Sequence, residues 1–345
     1  MDKYNFGNSI KQLLFESKIK GLKNFISLCL IFLCLGNVFA KAEKFVRNKN
    51  AITSSLLLNF PDSSFQENNH SLKNDSLKVI RQKRLKWVIA GMSFTTASTL
   101  IGLNQLWYAN YPKSKFQFFD DSKEWNGMDK AGHFLTNYYI TKYTSQFYKF
   151  GGIKEKNAVL LGAATSFVYM TSIEIMDGHS AQWGFSNYDF AANTLGMGVY
   201  IIQKLTWKDE KIIPKFSFYP SEFAKMRPEL LGKNISEQWL KDYNGQTYWL
   251  SFNLKSIFFK NSNFPPYLNL ALGYGATGMI GAFENPTNYA FVDRYSQYYL
   301  SLDIDLNRIQ TKSKFLKGIF QGLNLIKIPF PNLEFNKNGV RGNWL

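Results

Sequence analysis

Polar residues recur at helical spacing inside the most apolar third of the chain, in three groups: Asp129, Lys130 and His133; Glu174 and Asp177; Asp189 and Asn193. Residues three or four positions apart share one face of a helix, so each group points its side chains in one direction. If the three faces meet, one imidazole and several carboxylates converge. Such a set holds a divalent metal, or pairs a carboxylic acid with a base for hydrolysis.

The same residues also have a structural explanation. Asp129 suits the first turn of a helix, where a carboxylate favours the positive helix end. Glu174 follows a long apolar run, and a buried carboxylate needs a partner such as His133 or Lys130. We therefore expect an ion-pair network that fixes the helices, with acid–base catalysis and a metal or ligand site as alternatives. If the cluster binds a metal, the candidate ligands are His133, Glu174, Asp177, Asp189 and the loop residue His179. The sequence assigns none of them as a definite ligand.

The N-terminus has the order of a secretory signal peptide. Lysines precede an uncharged apolar run at residues 25–35, and the small-residue site that follows ends at Ala40. The run is shorter than the roughly 20 residues that a spanning helix requires. We expect cleavage after Ala40 and export of the chain, with an uncleaved anchor as the alternative.

Cysteine chemistry is not expected in the mature protein. Both cysteines, Cys29 and Cys34, lie in the apolar run of the signal segment. The mature chain would then have neither a disulfide nor a thiolate nucleophile or ligand. Lipid attachment at Cys34 is not expected either, because Leu33 precedes it where a lipobox requires a small residue.

The charge and the motifs narrow the range of partners. The formal net charge is +16, which in an exported chain favours anionic lipid or a cell-envelope polymer over nucleic acid. No nucleic-acid-binding module, phosphate loop, dinucleotide fingerprint, zinc-protease motif or nucleophile elbow is present in the sequence. The expected partner is a cell-envelope component or a membrane surface, no cofactor is expected, and the oligomeric state stays open.

Composition divides the mature chain into three parts. Residues 41–84, rich in Asn, Ser and Lys, are predicted to form a flexible arm. Residues 85–210 are predicted to form a bundle of about four helices, covering 87–107, 129–148, 157–176 and 186–205. Residues 211–345 alternate with period two and are predicted to form a small antiparallel β-rich region. The predicted fold class is α+β.

The alternation places apolar side chains on one face of each strand, as in Tyr248, Leu250 and Phe252. The sequence assigns Asp303 and Asp305 to a solvated polar face. Four to six strands are too few for an outer-membrane barrel, so the apolar face must pack on the helices, a partner or a membrane. Two prolines, Pro329 and Pro331, predict an edge position for the last segment. The glycines of residues 273–278 predict tight strand packing or a bulge.

The region of the polar groups resembles known families. The motif Asp129-Lys130-x-x-His133-Phe134, the later Glu174, and Asp189-x-x-x-Asn193-x-x-Gly196 are similar to the signature of the YfiM-like predicted periplasmic proteins, a domain of unknown function. A looser resemblance links the same positions to VanZ-like membrane proteins. The resemblance implies an envelope location and a shared polar signature, but no reaction.

These observations predict an exported cell-envelope protein with a structural or interaction role rather than an enzymatic one. The predicted location is the periplasm or the outer membrane, with the inner membrane as the alternative. One competing hypothesis is a metal-dependent or acid–base envelope hydrolase that uses the His/Glu/Asp cluster. The other is a multi-span membrane protein whose spans start at Trp87, Asn157 and Phe190.

Overall fold

A computed structural model describes residues 63–108 and 112–344, and the side chains of residues 78–105, 108 and 112–344. The predicted signal peptide and the first part of the arm lie outside these ranges. The chain forms two compact units. Among the described residues, the first comprises those up to Lys113 with Phe147–Lys154 and Ser180–Gln182, and the second comprises Ser114–Gln146, Glu155–His179 and residues 183–344.

The first unit is dominated by helix α1, Ser63–Leu103, which continues as one wider turn at Asn104–Tyr108. The helix begins well before residue 87, so residues 63–84 of the predicted arm are helical. Their polar composition lacks apolar periodicity, which concealed the helix, but neither proline nor glycine interrupts residues 63–90. The guanidinium of Arg84 lies over the ring of Phe150, with 5.2 Å from Cζ to the ring centroid.

Three helices carry the polar groups: α2, Met128–Phe150; α3, Glu155–Gly178; and α4, Asn187–Ile202. Each agrees with its predicted range to within a few residues. The Ser186 hydroxyl caps α4 by accepting a hydrogen bond from the Asp189 amide. Gly196 lets α4 approach α2 closely, since a Cβ atom there would lie 2.1 Å from the Phe134 carbonyl oxygen.

The C-terminal part of the second unit contains a six-stranded antiparallel sheet. Its strands are β1, Ile212–Phe218; β2, Gln246–Asn253; β3, Leu268–Thr277; β4, Tyr295–Ile304; β5, Pro331–Asn336; and β6, Gly339–Trp344. They pair in sequence order from β1 to β6. Short helices α5 to α8 connect β1 to β3: Phe223–Met226, Pro228–Leu231, Ile235–Lys241 and Leu254–Ile257. Helix α9, Lys314–Leu323, lies between β4 and β5. The predicted α+β class is confirmed.

The polar face of the sheet is enclosed, contrary to the prediction that it is solvated. Polar side chains such as Ser251, Asp303 and Asn332 are buried, whereas the leucines between them on the other face are partly exposed. Those leucines align across four strands through the pairs Leu250–Leu272, Leu272–Leu300 and Leu300–Leu333. We call the apolar side the outer face and the polar side the inner face. The assignment of Asp303 and Asp305 to a solvated face was wrong, because both side chains are buried.

The inner face is filled by charged side chains and by two large aromatic ones, Trp249 and Tyr299, whose ring centroids lie 5.6 Å apart. Lys215 Nζ lies 2.8 Å from Asp303 Oδ2 and donates to the Ile304 carbonyl, and Ser251 Oγ also bonds Asp303 Oδ2. The indole of Trp249 occupies the space above Gly273, where a Cβ atom would lie 2.7 Å from the ring. The predicted tight packing at residues 273–278 is thereby confirmed at Gly273.

Strand β1 has a second backbone neighbour. Its Phe216 amide donates to the Leu325 carbonyl, and its carbonyl accepts from the Lys327 amide, both at 2.9 Å. Pro214 and Lys215 hid this strand in the sequence, since both residue types are uncommon inside sheets. The edge position predicted for the last segment was wrong for β5, which starts at Pro331 but pairs with strands on both sides.

Among the described residues, one helix is long and apolar enough to cross a membrane. This helix is α3, Glu155–Gly178, and a third of its most apolar window is buried within the protein. The stretches that start at Trp87 and Phe190 do not meet the same criterion. Length and composition of a single helix are weak evidence, since buried core helices share them.

Candidate functional site

The ammonium group of Lys130 is the centre of the polar cluster. Its Nζ lies 3.1 Å from Asp129 Oδ2 and 3.0 Å from Asp189 Oδ1, and it also forms a short ion pair with Asp121 Oδ2. These carboxylates come from the first turn of α2, the first turn of α4 and the loop before α2. One cation thus joins three separate segments of the second unit.

The imidazole of His133 connects α2 to the other two helices. Its Nδ1 lies 3.2 Å from Asn193 Oδ1 and 3.4 Å from Glu174 Oε1, while Nε2 lies 3.8 Å from both Asp129 and Asp189. Asn193 Nδ2 donates to Glu174 Oε1 at 3.0 Å. The faces predicted to carry the polar groups therefore meet, and Glu174 has the partners that its burial requires.

Three members of the cluster were missed from the sequence because they lie outside the periodic helices. Asp121 accepts a hydrogen bond of 2.6 Å from the Ser186 hydroxyl. Tyr243, from the turn before β2, donates its hydroxyl to Asp129 Oδ1 at 3.0 Å. Glu124 completes a second acidic group with Asp121 and Asp129. Residues in loops follow no helical spacing, so the sequence does not indicate that they lie near the polar cluster. Their proximity to it depends on the fold.

Two of the predicted candidates behave differently from the rest. Asp177 is half-buried, and its charge contributes to raising the pKa of both Glu174 and Glu124. His179 is exposed, with its ring edge-on to Phe116 at 5.5 Å between centroids. His179 belongs to neither of the two potential ligand groups found among the described residues, so a role as second nitrogen ligand has no geometric support.

Burial raises the pKa of three carboxyl groups in the cluster. It raises the pKa of Glu174 to about 7, and the charges of Asp177 and Asp129 add to this while His133 opposes it. Burial also raises the pKa of Glu124 to about 7 and that of Asp189 to about 8. Ionisation of these three groups is disfavoured near neutral pH, because burial removes the water that would solvate their charge.

The remaining members are held in their charged forms. Burial opposes ionisation of Asp129, but the charges of His133 and Lys130 outweigh it and lower the pKa. Burial likewise opposes protonation of His133, and the carboxylates of Asp129, Asp189 and Glu174 outweigh it and raise the pKa. The cluster therefore combines permanent ion pairs with groups that exchange protons.

A left-handed turn positions the start of α2. Trp125, Asn126 and Gly127 have φ values of 47°, 51° and 75°, a region that costs non-glycine residues about 1 kcal/mol or more. Arg294 Nη2 donates to Asn126 Oδ1 at 3.1 Å, and the Trp125 amide donates to the Ala282 carbonyl at 2.8 Å. Contacts from the β-region thus hold the turn that directs Asp129 and Lys130 inward.

The cluster has the donors of a metal site, but Lys130 occupies its centre. Ligand atoms of Asp129, His133 and Asp189 all lie within 4.8 Å of one another. Asp189 Oδ1 makes no hydrogen bond among the described residues, and the Lys130 ammonium lies 3.0 Å from it. An ammonium group already neutralises two of the three potential ligands and would repel a divalent ion at the same position. The arrangement therefore fits internal ion pairing better than metal binding.

A family described as "Predicted periplasmic lipoprotein (DUF2279)" matches residues 117–204. This range contains the helical part of the cluster together with Asp121 and Glu124, and it supports an exported, periplasmic location for a chain of uncharacterised function. Its description includes lipoprotein, but Cys34 lies outside both the matched range and the described residues. The VanZ-like resemblance has no support in the comparisons. No curated protein and no solved structure matches the chain.

Proposed function

We propose that this chain is a non-catalytic protein of the cell envelope, located in the periplasm or at a membrane that borders it. In this proposal the polar cluster has a structural role. It holds α2, α3, α4 and the preceding loop in one arrangement, and thereby supports the β-region that offers an interaction surface. The location rests on the matched family and on the signal-peptide pattern of the N-terminus.

The observation that carries this proposal is the position of the Lys130 ammonium. It lies against carboxylates of three segments, and its side chain is only 16% exposed. Breaking a buried ion pair by removing one partner leaves an uncompensated charge, which costs more than the pair contributes. A group in this position is therefore suited to fixing the relative placement of helices.

A second candidate function is favoured by the same cluster. One imidazole and two carboxylates lie within ligand distance, and the pKa of Glu124 and of Glu174 is raised to about 7, in the range useful for proton transfer. An envelope hydrolase that uses His133, Glu174, Asp177 and Asp189 would require such an arrangement. Paired interior charges shift pKa values in the same way without catalysis.

Replacement of the central cation tests the structural role. Lys130→Met removes the ammonium but keeps much of the apolar stem, and should lower the free energy of unfolding by about 3 kcal/mol. Lys156→Met is the matched control, because Lys156 is an exposed lysine in the first turn of α3, and should change it by less than about 0.5 kcal/mol. Denaturant unfolding followed by circular dichroism measures both. Equal effects of the two substitutions would contradict the structural role.

Elemental analysis separates the two candidate functions. The purified chain should contain no stoichiometric transition metal, and added Zn²⁺ should not raise its melting temperature. If instead Zn²⁺ binds at one equivalent, and His133→Ala abolishes this binding while leaving the fold intact, the metal-dependent function replaces the structural one. His179→Ala is the control, since its imidazole is exposed and lies apart from the cluster.

A further inference from the structure

Helix α9 is strongly amphipathic although it is only ten residues long. Its N-terminus is capped by the Ser313 hydroxyl, which accepts a hydrogen bond from the Leu316 amide at 3.2 Å. All its large apolar residues share one side of the helix: Phe315, Leu316, Ile319, Phe320 and Leu323. At 100° per residue they fall within an arc of about 140°, which we call the apolar stripe. Lys314 and Lys317 lie outside this arc.

The apolar stripe is not buried within the described part of the protein. No residue of α9 is buried. The side chains of Phe315, Leu316 and Leu323 are 69%, 40% and 52% exposed. A surface helix of a globular domain normally turns such a stripe toward the core. Here Phe315, Leu316 and Leu323 are exposed while Ile319 and Phe320 are half-buried, so complete burial of the stripe requires something beyond residues 63–108 and 112–344.

The exposed charges on and beside α9 are basic, whereas the nearby Arg308 is paired with Asp209 and Asp305, and Lys327 is buried. Between Asp305 and Glu334 the chain contains five basic residues and no acidic residue; the basic ones are Arg308, Lys312, Lys314, Lys317 and Lys327. Lys312, Lys314 and Lys317 are exposed. An apolar stripe flanked by exposed lysines is typical of helices that lie in the plane of an anionic membrane surface. A helix of this length would lie about 15 Å along that surface.

The strands on either side of α9 in the sequence also expose apolar side chains. On the outer face, β4 exposes Leu302 and β5 exposes Leu333 and Phe335. The alternation of apolar-outward with polar-inward residues along these strands is the pattern of strands whose outer surface contacts lipid. The apolar exposure of α9 is therefore part of a wider apolar character of the β-region.

We propose that α9 binds the surface of an anionic bilayer, with its apolar stripe at the boundary between headgroups and acyl chains. Lys312 and Lys317 then reach the anionic headgroups, while Lys314, on the side of α9 opposite the stripe, adds to the attraction through its charge. The proposal rests on the envelope location given under the proposed function and names the membrane surface as the partner of the β-region. A protein partner would match the apolar stripe, but the exposed lysines on and beside α9 favour an anionic surface.

Vesicle sedimentation with the full chain tests this binding. One set of vesicles contains phosphatidylglycerol and phosphatidylethanolamine, and the other contains phosphatidylcholine alone. The chain should partition preferentially to the anionic vesicles, and the preference should disappear at about 1 M salt, where the screening length falls to about 3 Å. The apolar run at residues 25–35 is the same in every variant, so differences between variants report on α9.

Two variants and a matched control test whether α9 is the segment that binds the vesicles. The triple variant Lys312→Gln, Lys314→Gln, Lys317→Gln should lose on the order of 100-fold in partitioning to anionic vesicles, since each lysine contributes about 1 kcal/mol at such a surface. Phe315→Ser should lose about tenfold through its apolar side chain. Phe258→Ser is the control because Phe258 is also 69% exposed but lies outside α9, and it should partition as the wild type does.

The alternatives give different results in the same experiment. Partitioning that is equal in all variants, or no binding to either type of vesicle, overturns the proposal. If the wild-type chain self-associates without lipid and Phe315→Ser abolishes that association, the apolar stripe is instead an interface between two copies. None of these results bears on Lys130, so they leave the proposed role of the polar cluster separately testable.

Discussion

The polar cluster and the inner face of the sheet both bury charged side chains, but they balance those charges differently. On the inner face, Lys215 and Asp303 are completely buried and pair with each other. In the polar cluster, acidic residues exceed basic ones: Asp121, Glu124, Asp129, Glu174 and Asp189 surround Lys130 and His133. The side chains of Lys130 and His133 are also 16% and 20% exposed, so the polar cluster retains contact with solvent.

The two regions therefore differ in the sign of the charge that burial disfavours. On the inner face, burial lowers the pKa of Lys215 and lowers that of Lys327 to about 8, while the charge of Asp303 opposes both shifts. An acid-rich cluster with solvent access can release its excess charge by binding protons, as the raised pKa values of Glu174 and Asp189 indicate. Three substitutions probe this contrast.

The largest effect is expected on the inner face. Asp303→Ala leaves Lys215 buried without its partner and removes the acceptor of Ser251, and should lower the free energy of unfolding by about 4 kcal/mol. Asp293→Ala is the control, because Asp293 forms an exposed pair with Lys337 and should cost less than about 1 kcal/mol. Urea denaturation measures both. A cost for Asp303→Ala as small as that of the control would show that the inner face tolerates an unpaired charge.

A smaller effect is expected at the cap of α4. Ser186→Ala removes the cap of the Asp189 amide and the hydrogen bond to Asp121, both buried, and should cost about 2 kcal/mol. Ser313→Ala removes the solvent-exposed cap of α9 and should cost about 0.5 kcal/mol. Thermal unfolding compares them. Equal costs would mean that the hydroxyl contributes nothing to the polar cluster beyond capping.

The smallest effect concerns pH. Burial raises the pKa of Glu174 to about 7 in the folded state. Its contribution to stability is therefore fully present at pH values below the pKa of Glu174 in the unfolded chain, and it is lost as the pH rises through 7. The raised pKa of His133 acts in the same direction. Wild-type stability should fall between pH 6 and 8, and Glu174→Gln should remove about 1 kcal/mol of that change.

The exposed Glu229 supplies the control for this measurement. It is 66% exposed in its side chain, so Glu229→Gln should leave the pH dependence of the melting temperature unchanged. A Glu174→Gln protein whose stability changes with pH as steeply as the wild type would show that Glu174 keeps its proton or its charge throughout this range.

The helices and the face that each polar group occupies could be predicted from sequence, because both follow from spacing, whereas the meeting of the faces was a hypothesis that depends on tertiary packing. Asp129 and His133 at positions four apart, and a capping serine three residues before Asp189, specify faces and ends without reference to the rest of the chain. Asp121 and Tyr243 could not be predicted in the same way. Their side chains reach the polar cluster through loops whose paths depend on tertiary contacts.

The orientation of the sheet shows a different limit. Period-two alternation separates the side chains of Leu302 and Asp303 onto opposite faces, but the pattern does not specify which face is enclosed. We expected the polar face to be solvated, but it is the enclosed face of the sheet. The buried pair of Lys215 and Asp303 marks the enclosed face, because Asp303 lies on a strand whose side chains alternate strictly between the two faces.

The left-handed turn before α2 has a consequence for how the molecule folds. Asn126 is held by Arg294, 168 positions later in the chain, and Trp125 by the backbone of Ala282. During synthesis or translocation from the N-terminus, α2 emerges long before these residues. The helices can form early from local contacts, but their polar residues reach their final positions only after the strands have formed. We therefore expect a C-terminally truncated chain to retain helical structure while failing to assemble the polar cluster.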